Sequence, residues 1–575
     1  MILLKKTFIL LVVQLVALTC CNINAQVTAS EAAYLQTDRT AYIAGESVFY
    51  KLYVLDAITK KRSEISKVAY VLLRAANSNP FLKIRVKIDS CTASGSFELP
   101  DTLASGVYQI VAFTMAMKNF GEQRFFHKEI VISNRFDKDL DFKLMNSNSI
   151  DSNKNKLHNI GCEIKTNKTV YGLREKVVVS MGKTNSKANV SVSVFEDPKI
   201  LSTDKSIVET LNGLLVAQPD KHAINKYLPE NNGKILRGRV IDATTQKNIS
   251  AATVLLSCTD TIPNLQYAST NSNGLFQILL SDYYNGKELF LTIKDMPANQ
   301  HWKIEIEDEF ALSEKWSPSL IFDNGNSNGF IVKSQNIVYI NKSYQLNNDL
   351  IDKPISENKS ICPQLYHCSV STVLPSDFVP LNDFPEIAVE LLPLVRINKE
   401  NGKYNAHVII GSPVVSNNNH PAIFLDGVYV DDINKIIGLG SEQIKKIDML
   451  NTERIFGDLV FQGVISIISK SNEIVNTTPA SYSLRLKNDI INTGGNFVAV
   501  NPNSIQNKDI PFFKQLLYWN PNLELNGTNS TNFEFYTSDN TAKFIIKVEG
   551  ISEDGTPISA SSSIQVNNQI NVTDK

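Results

Sequence analysis

The sequence predicts a mainly β protein, a string of β-sandwiches with one small α+β domain among them. Three observations lead to this prediction. Short runs of alternating apolar and polar residues recur between turn residues, which is the spacing of sandwich folds. A sequence motif at residues 36–48 recurs at residues 165–177, which predicts a second sandwich after the first. Residues 421–470 break this pattern with two short strands, a helical spacing, a glycine-bracketed loop and a final strand.

Residues 1–25 have the layout of a secretory signal peptide. Lys5 and Lys6 precede an apolar core from Phe8 to Leu18, and small residues follow before a cleavage site. We therefore expect an exported protein whose mature chain begins near Gln26. No later apolar run approaches 18 residues, so no transmembrane helix is expected in the mature chain.

The cysteines leave two questions open. Cys20 and Cys21 follow the apolar core and allow lipidation, although the position before Cys21 lacks the expected small residue. An odd number of cysteines remains after the signal, which argues against a dense disulfide framework. Cys362 and Cys368 either close a small loop or remain separate thiols. The remaining cysteines are Cys91, Cys162, Cys258, Cys362 and Cys368.

The charge balance excludes one class of partner. The chain has 57 basic and 58 acidic residues, and loss of the two signal-peptide lysines makes the mature protein slightly more acidic. Such a balance argues against a surface for nucleic acid or for an anionic membrane.

Residues 26–135 are predicted to form the first sandwich. The run from Val48 to Val54 alternates apolar and polar positions as a half-buried strand does. Further strands are predicted at Val68–Leu73, Leu82–Ile88, Gly95–Leu99 and Gly106–Met115.

The sequence of this module resembles the macroglobulin domain of the α2-macroglobulin and complement group. The resemblance rests on Gln36 to Val48, Gly95 to Pro100 and Gly106 to Tyr108. Members of that group that trap proteases use a Cys-Gly-Glu-Gln thioester. Here Phe120 precedes Gly121-Glu122-Gln123, so no thioester is expected at this position.

A linker at residues 136–158, rich in Asn, Ser and Lys, separates the first module from the second. Residues 159–230 are predicted to form another macroglobulin-like sandwich, and Ser206 to Leu215 a brief helix leading out of it. Five positions of the opening motif match 129 residues further on: Thr37/Thr166, Thr40/Thr169, Tyr42/Tyr171, Glu46/Glu175 and Val48/Val177.

The third predicted module, residues 234–306, is a small sandwich. Strands are expected at Gly238–Asp242 and Ala252–Leu256, and Asn273-Gly274 is a tight-turn signal. The module resembles the carboxypeptidase regulatory-like domain, which implies a sandwich without catalysis. Neither His222 nor His301 has a zinc-ligand partner at suitable spacing.

Residues 307–375 are expected to be a connecting region, with a loop at Asn324–Asn328 and a helix at Gln335–Leu346. Residues 376–472 are predicted to form the α+β domain, led by a helix from Asp383 to Leu394.

Within the α+β domain, Asp426-Gly427 joins two short strands as a hairpin. Ser441 begins a predicted helix of about two turns, because Ile444, Ile447 and Leu450 follow at three-residue spacing. A β-branched strand from Val464 to Ile468 completes the domain.

This stretch resembles the plug domain of TonB-dependent outer-membrane receptors, through its Leu-Asp-Gly-Val, Glu-Gln-Ile-Lys-Lys-Ile and Gly-(x)5-Gly-Val-Ile segments. In that family the plug lies inside a barrel of about 22 strands. Residues 471–575 are too few for such a barrel, so the resemblance implies a plug-like module used outside a receptor. A plug beside a regulatory-like sandwich is a pairing typical of exported Bacteroidetes proteins, which implies a location in the periplasm or at the outer membrane.

Residues 473–575 return to alternating strands, at Asn532–Asp539, Ala542–Gly550 and Ser559–Val566. They are predicted to form a separate C-terminal sandwich of immunoglobulin-like type.

The sequence contains none of the common motifs for catalysis, cofactor binding or phosphate binding. No catalytic, cofactor or metal residues are therefore assigned. Asp426, Asp431 and Asp432 could share a cation, but turn-forming roles explain them better. With Gly427 they are predicted to form an interaction surface.

Two functions remain. The first is a non-catalytic envelope scaffold whose partners are envelope or outer-membrane proteins. The alternative is a macroglobulin-type protease-binding inhibitor without a thioester. An enzyme is not expected.

Overall fold

The computed structural model describes residues 30–76, 78–137, 159–199, 205–213, 226–297, 300–318, 324–344, 351–352, 365, 371–410, 420–471, 483–489, 495–504 and 509–568. The predicted signal peptide, Cys20, Cys21, Cys362 and Cys368 lie outside these residues, as does most of the predicted linker. The chain divides into two compact units. Unit 1 comprises Met1–Asn231, Leu312–Pro354 and Asn492–Lys575, and unit 2 comprises Asn232–Ala311 and Ile355–Ile491.

The first half of the chain is mostly strand. Its elements begin with β1 (Glu31–Thr37), β2 (Ala41–Ile43), β3 (Ser47–Asp56), β4 (Val68–Ala75), β5 (Leu82–Lys87), β6 (Thr92–Glu98), β7 (Gly106–Phe113) and β8 (Phe126–Ser133). They continue with β9 (Ile164–Thr166), β10 (Val170–Tyr171), β11 (Lys176–Met181), β12 (Ala188–Glu196) and the helix α1 (Ile207–Asn212). Then come β13 (Lys234–Asp242), β14 (Thr253–Cys258), β15 (Gln266–Ser269), β16 (Leu275–Leu280), β17 (Glu288–Ile293) and β18 (Trp302–Ile306).

The second half contains the two longer helices. Its elements begin with α2 (Asn324–Ser343), β19 (Ile351–Asp352), β20 (Ser371–Val373), α3 (Phe384–Leu391), β21 (Val395–Glu400), β22 (Lys403–Val408), β23 (Ala422–Leu425) and β24 (Val428–Val430). They end with β25 (Ile444–Phe456), β26 (Leu459–Ser469), β27 (Ser483–Lys487), β28 (Asn496–Phe497), β29 (Leu516–Leu525), β30 (Thr531–Tyr536), β31 (Ala542–Ser552) and β32 (Pro557–Val566).

The first sandwich packs the sheet β1-β3-β6 against the sheet β2-β8-β7-β4-β5. The predicted strands are all present, but β3 is buried on both faces rather than one. The reason is that its polar positions contact the second sandwich. Lys51 Nζ donates to Asn522 Oδ1, and the Tyr53 hydroxyl lies 2.9 Å from Ser191 Oγ.

The second sandwich is discontinuous in sequence. Its sheets are β10-β32-β31-β12-β29 and β30-β11-β9, so β9–β12 pair with strands from the C-terminal region. β12 has β31 on one side and β29 on the other, both antiparallel. Its core therefore mixes residues from both ends of the chain, such as Val190 and Val192 with Phe544 and Val548.

When the C-terminal strands are counted with β9–β12, the second sandwich has the same topology as the first. In the order of their sheets, β2-β8-β7-β4-β5 corresponds to β10-β32-β31-β12-β29, and β1-β3-β6 corresponds to β9-β11-β30. The parallel pairing of β2 with β8 recurs as that of β10 with β32. In the first sandwich, a short connection joins β4 to β5. In the second, the equivalent connection from β12 to β29 contains more than 300 residues. Its two ends meet, because Glu196 N donates to Gln515 O at 2.8 Å.

Two predicted domain boundaries are therefore wrong. The strands assigned to separate sandwiches at 159–230 and 473–575 form one sandwich. In addition, β27 pairs with β17 and belongs to the third sandwich, while β28 pairs with β19. Sequence patterns detect strands, but they do not show that partners so distant along the chain pair with one another.

The third sandwich packs β16-β13-β18 on β15-β14-β17-β27. The predicted turn at Asn273-Gly274 is present, with Gly274 at a φ of 70°. Leu484 and Leu486 of β27 pack against the core formed by residues such as Val254 and Leu291.

The α+β module has the mixed sheet β20-β25-β26-β23-β24, in which β23 and β26 are parallel. The leading helix is confirmed as α3, with Asp383 as N-cap accepting from Glu386 N at 2.9 Å. The two-turn helix predicted from Ser441 is wrong, because only Ser441–Gln443 form a short 3-10 turn and β25 begins at Ile444.

A β-bulge explains the wrong helix prediction. The register between β25 and β26 shifts by one residue between Ile444 and Lys446. The extra residue brings Ile444 and Ile447 to the same face, three positions apart, where both join one core. Leu450 lies on the other face, in a different cluster. The bulge thus reproduces the spacing of a helix within a strand.

The remaining helices agree in part with the predictions. α1 is confirmed and begins with a capping box, in which Ser206 and Glu209 bond each other's backbone N–H groups. α2 is confirmed at Gln335–Ser343, but it already begins at Asn324, where a loop was expected.

Candidate functional site

The repeated motif forms a tight polar turn at the edge of the first sandwich. Asp38 Oδ1 accepts from the Tyr42 hydroxyl at 2.8 Å and from Phe49 N at 2.9 Å. Glu46 Oε2 accepts from Ile43 N at 2.7 Å and lies 3.0 Å from Arg39 Nη2. The turn thus joins β1, β2 and β3 through side-chain bonds.

The Asp38 carboxyl is the most perturbed acid of this turn. It is fully buried, and burial raises its pKa to about 6 against the opposing effects of Arg39 and the Tyr42 bond. Its second oxygen lies 3.6 Å from Arg39 Nε, an ion-pair distance that is too long for a hydrogen bond. Because Asp38 has no exposed surface, its carboxyl group serves the fold and not a bound substrate.

The second sandwich repeats this turn contact by contact, at residues 129 positions later. Tyr171 donates to Asn167 Oδ1 at 2.7 Å, and Val178 N donates to the same oxygen at 3.0 Å. Glu175 accepts from Gly172 N at 2.7 Å and pairs with Lys168. In the second sandwich, Asn167 therefore accepts the two hydrogen bonds that Asp38 accepts in the first.

The predicted interaction surface is wrong at Asp426 and Gly427. Asp426 is 3% exposed, and its carboxylate accepts from Ser469 N at 2.7 Å and from Ser469 Oγ at 2.6 Å. A Cβ on Gly427 would lie 2.7 Å from Asp260 N and O, so this glycine packs on the backbone of the third sandwich. Asp260 N also donates to Asp426 O at 2.8 Å. The turn fastens the α+β module to the third sandwich.

The other two predicted residues have local partners. Asp431 pairs with Lys435, four residues later. Asp432 Oδ1 accepts from Asn434 N at 2.9 Å and caps a short turn. The structure does not bring these carboxylates together with Asp426, and the described residues contain no cluster of three or more metal-ligating side chains.

The Gly121-Glu122-Gln123 tripeptide lies in a short turn ahead of β8, with Phe120 ending the preceding turn. Glu122 holds the backbone of residues 313 and 314. Cys91, Cys162 and Cys258 are buried, and burial raises the pKa of the Cys91 and Cys162 thiols.

No protein-family model and no curated protein matches the sequence. Among solved structures, the chain is similar to trypsin-activated α2-macroglobulin from Escherichia coli, with 9% identity and a TM-score of 0.23 over 95% of this chain and 42% of that one. For the elastase-activated form, the identity is 10% and the TM-score 0.24, over 93% and 44% of the two chains. For the methylamine-reacted protein from Salmonella, they are 7% and 0.16, over 94% and 23%. This chain therefore spans less than half of each of these structures.

Within the described part of the chain, the helices lack the length and apolar character that a membrane span needs.

Sequence reasoning missed two polar groups that connect distant parts of unit 1. Glu549 is fully buried, and its Oε2 accepts from Ile207 N, at the start of α1, at 3.1 Å. Lys51 is 1% exposed, and burial lowers its pKa to about 8. The alternation around Lys51 predicted an exposed side chain, and nothing local to Glu549 marks it as buried.

Proposed function

We propose that this chain is an exported, non-catalytic binding protein of macroglobulin type that holds protein partners without a covalent bond. The observation that carries the proposal is the duplicated turn. Tyr42 and Glu46 in the first sandwich and Tyr171 and Glu175 in the second make the same contacts. The resemblance of the first motif to a macroglobulin domain therefore extends to both sandwiches.

The buried polar groups also support a binding role. Lys51 and Tyr53 of the first sandwich contact Asn522 and Ser191 of the second, so these groups fix two sandwiches together. Each would be costly to remove from its partner. These polar groups are bonded within the fold, so recognition of a partner would use the outer surfaces.

We expect that the protein forms no covalent adduct with proteases. Phe120 occupies the position where the thioester cysteine would stand, so no acyl donor is present there. Incubation with trypsin, elastase and subtilisin should give no additional band on a denaturing gel, while a complex remains detectable by size-exclusion chromatography. Pretreatment with methylamine should leave that complex unchanged, because there is no thioester to open. A band that resists denaturation would contradict the absence of a thioester, and no complex with any protease would argue against the inhibitor form of the proposal.

An envelope scaffold is the second candidate, and the α+β module favours it. The module combines α3, a mixed sheet and the Leu-Asp-Gly turn on which the resemblance to receptor plugs rests. Its exposed apolar side chains lie elsewhere than the predicted surface: Val379 is 75% exposed and Val389, on the outer side of α3, is 74% exposed. Partners would be other envelope or outer-membrane proteins.

Crosslinking tests this candidate. A photo-crosslinking residue at position 389 in the native envelope should yield an intermolecular product, and the same residue at the buried position 388 should yield none. If position 389 gives only intramolecular products, the scaffold candidate loses its docking face.

A further inference from the structure

Residues 312–318 (the strap) run across the outer face of the first sandwich, between β18 and α2. Backbone N–H and C=O groups of the strap are held by side chains of the sheet and its flanking turn. Two residues, Arg74 and Glu122, do this, and a third, Glu129, binds a side chain of the strap. We refer to the three residues as the clamp.

Glu122 and Arg74 hold the main chain. One Glu122 oxygen accepts from Ser313 N and, at 2.9 Å, from Ser313 Oγ, and the other accepts from Glu314 N at 3.0 Å. Arg74 Nη1 donates to Glu314 O at 3.0 Å. One carboxylate and one guanidinium therefore bind three backbone groups of two consecutive residues, and the backbone is bent there because both N–H groups face Glu122.

A further contact recognises a side chain of the strap. Trp316 Nε1 donates to Glu129 Oε1 at 3.2 Å. Indole is only a donor, so a carboxylate at this position selects tryptophan over phenylalanine. The clamp thus recognises a segment with two consecutive N–H groups turned to Glu122 and an indole two residues after them.

The clamp itself is built in advance. Arg74 is 7% exposed, and its Nε and Nη2 both donate to Gln109 Oε1, at 3.0 and 2.8 Å. Gln109 is 5% exposed and fixes the guanidinium in place on the sheet. Burial raises the pKa of Glu122, but the backbone N–H groups of Ser313 and Glu314 outweigh it and hold this pKa below its usual value.

The strap is weakly held compared with the elements around it. Ser313, Glu314 and Lys315 are exposed, and among the described residues no hydrogen bond joins the strap backbone to the backbone of the sheet. Its bonds to the clamp are exposed or only partly buried, so water competes for them. Such a segment can detach while the sandwich stays folded.

We propose that the clamp is a peptide-binding site whose resident occupant is the strap, and that a tryptophan-bearing segment of another protein chain, bent in the same way, binds there when the strap detaches. The contacts that carry this are main-chain bonds, the Ser313 hydroxyl bond and one indole bond, none of which requires the occupant to belong to the same chain. The site does not rest on the proposed protease binding.

The probe is a fluorescent synthetic peptide with the sequence of residues 311–318, and the host is the full protein with Trp316→Ala, which loosens the strap. The peptide should bind this host saturably and at least about fivefold more tightly than it binds the unchanged protein, whose strap competes. Adding Glu122→Ala to the host should abolish binding, and adding Glu98→Gln, an exposed carboxyl on the other sheet, should not. No saturable binding to the Trp316→Ala host, or equal binding with and without Glu122, would overturn the proposal.

Trypsin supplies a readout that does not need the peptide. Cleavage after Lys315 requires the strap to leave the clamp, so Glu122→Ala should accelerate it about tenfold or more while the denaturation midpoint of unit 1 stays within the effect of a surface substitution. Unchanged cleavage would show that Glu122 does not hold the strap, and would refute the clamp.

Discussion

An alanine in place of Gly427 is expected to destabilise unit 2 by about 4 kcal/mol. Two costs combine. Gly427 has a φ of 83°, where a Cβ is unfavourable, and that Cβ would lie 2.7 Å from Asp260 N and O and 2.9 Å from Cys258 O. These are backbone atoms of the third sandwich, which cannot move aside as a flexible side chain would.

Gly402 provides a matched control. Asn401-Gly402 joins β21 to β22 with φ values of 50° and 81°, and Asp426-Gly427 has 48° and 83°. A Cβ on Gly402 would meet nothing within 4 Å, so Gly402→Ala should cost only the conformational term, about 1 to 2 kcal/mol. Urea denaturation followed by Trp302, with the other two tryptophans replaced by phenylalanine, reports on unit 2. Equal effects at the two glycines would contradict the packing of Gly427 on the third sandwich.

Removal of the Asp38 side chain is expected to cost about 3 kcal/mol or more, whereas its conversion to the uncharged asparagine should be nearly neutral at pH 4 and stabilising at pH 7. Asp38→Ala leaves Phe49 N without its acceptor, takes from the Tyr42 hydroxyl one of the two oxygens within its reach, and removes one of the two carboxylates near Arg39. Asparagine retains the oxygen that accepts both bonds, and Asn167 performs this role in the second sandwich.

The same residue gives stability a pH dependence of defined sign. Burial raises the Asp38 pKa from an ordinary 3.8 to about 6, so between these values the folded protein keeps a proton that the unfolded chain releases. Stability from this group therefore falls as the pH rises from about 4 to about 6, by up to about 3 kcal/mol in total, and is constant above. Urea denaturation at pH 4 to 8 should show this decline as the difference between the unchanged protein and Asp38→Asn. A parallel pH profile for the two proteins would show that Asp38 is not the group responsible.

Features that are determined by residues close together in the sequence could be predicted. Features that depend on contacts between distant residues could not. The strands of the first sandwich, the Asp426-Gly427 hairpin and the helices α1 and α3 follow from neighbouring residues and were predicted. The match of Tyr42 with Tyr171 and of Glu46 with Glu175 predicted the second sandwich, and the structure gives these pairs the same bonds.

The failures have tertiary causes. A dipeptide such as Asp426-Gly427 looks the same whether its hairpin faces solvent or the backbone at Asp260, so its burial was missed. Ile444 and Ile447 were assigned to a helix because a bulge in β25 gives them helical spacing. The pairing of β12 with β29 and β31 has no local signal, because each strand alternates normally by itself.

The divided second sandwich has a consequence for the order in which the protein is made. β1 to β8 lie together in the sequence, so the first sandwich has all its strands soon after they emerge. β12 ends at Glu196, and its two neighbours begin at Leu516 and Ala542. At about 5 to 20 residues per second, synthesis reaches them roughly 15 to 60 seconds later. Throughout that interval Val190, Val192 and Val194 lack the strands that bury them, and both edges of β12 are open to incorrect pairing. The second sandwich can close only after the third sandwich and the α+β module have been synthesised, even though its first strands precede both.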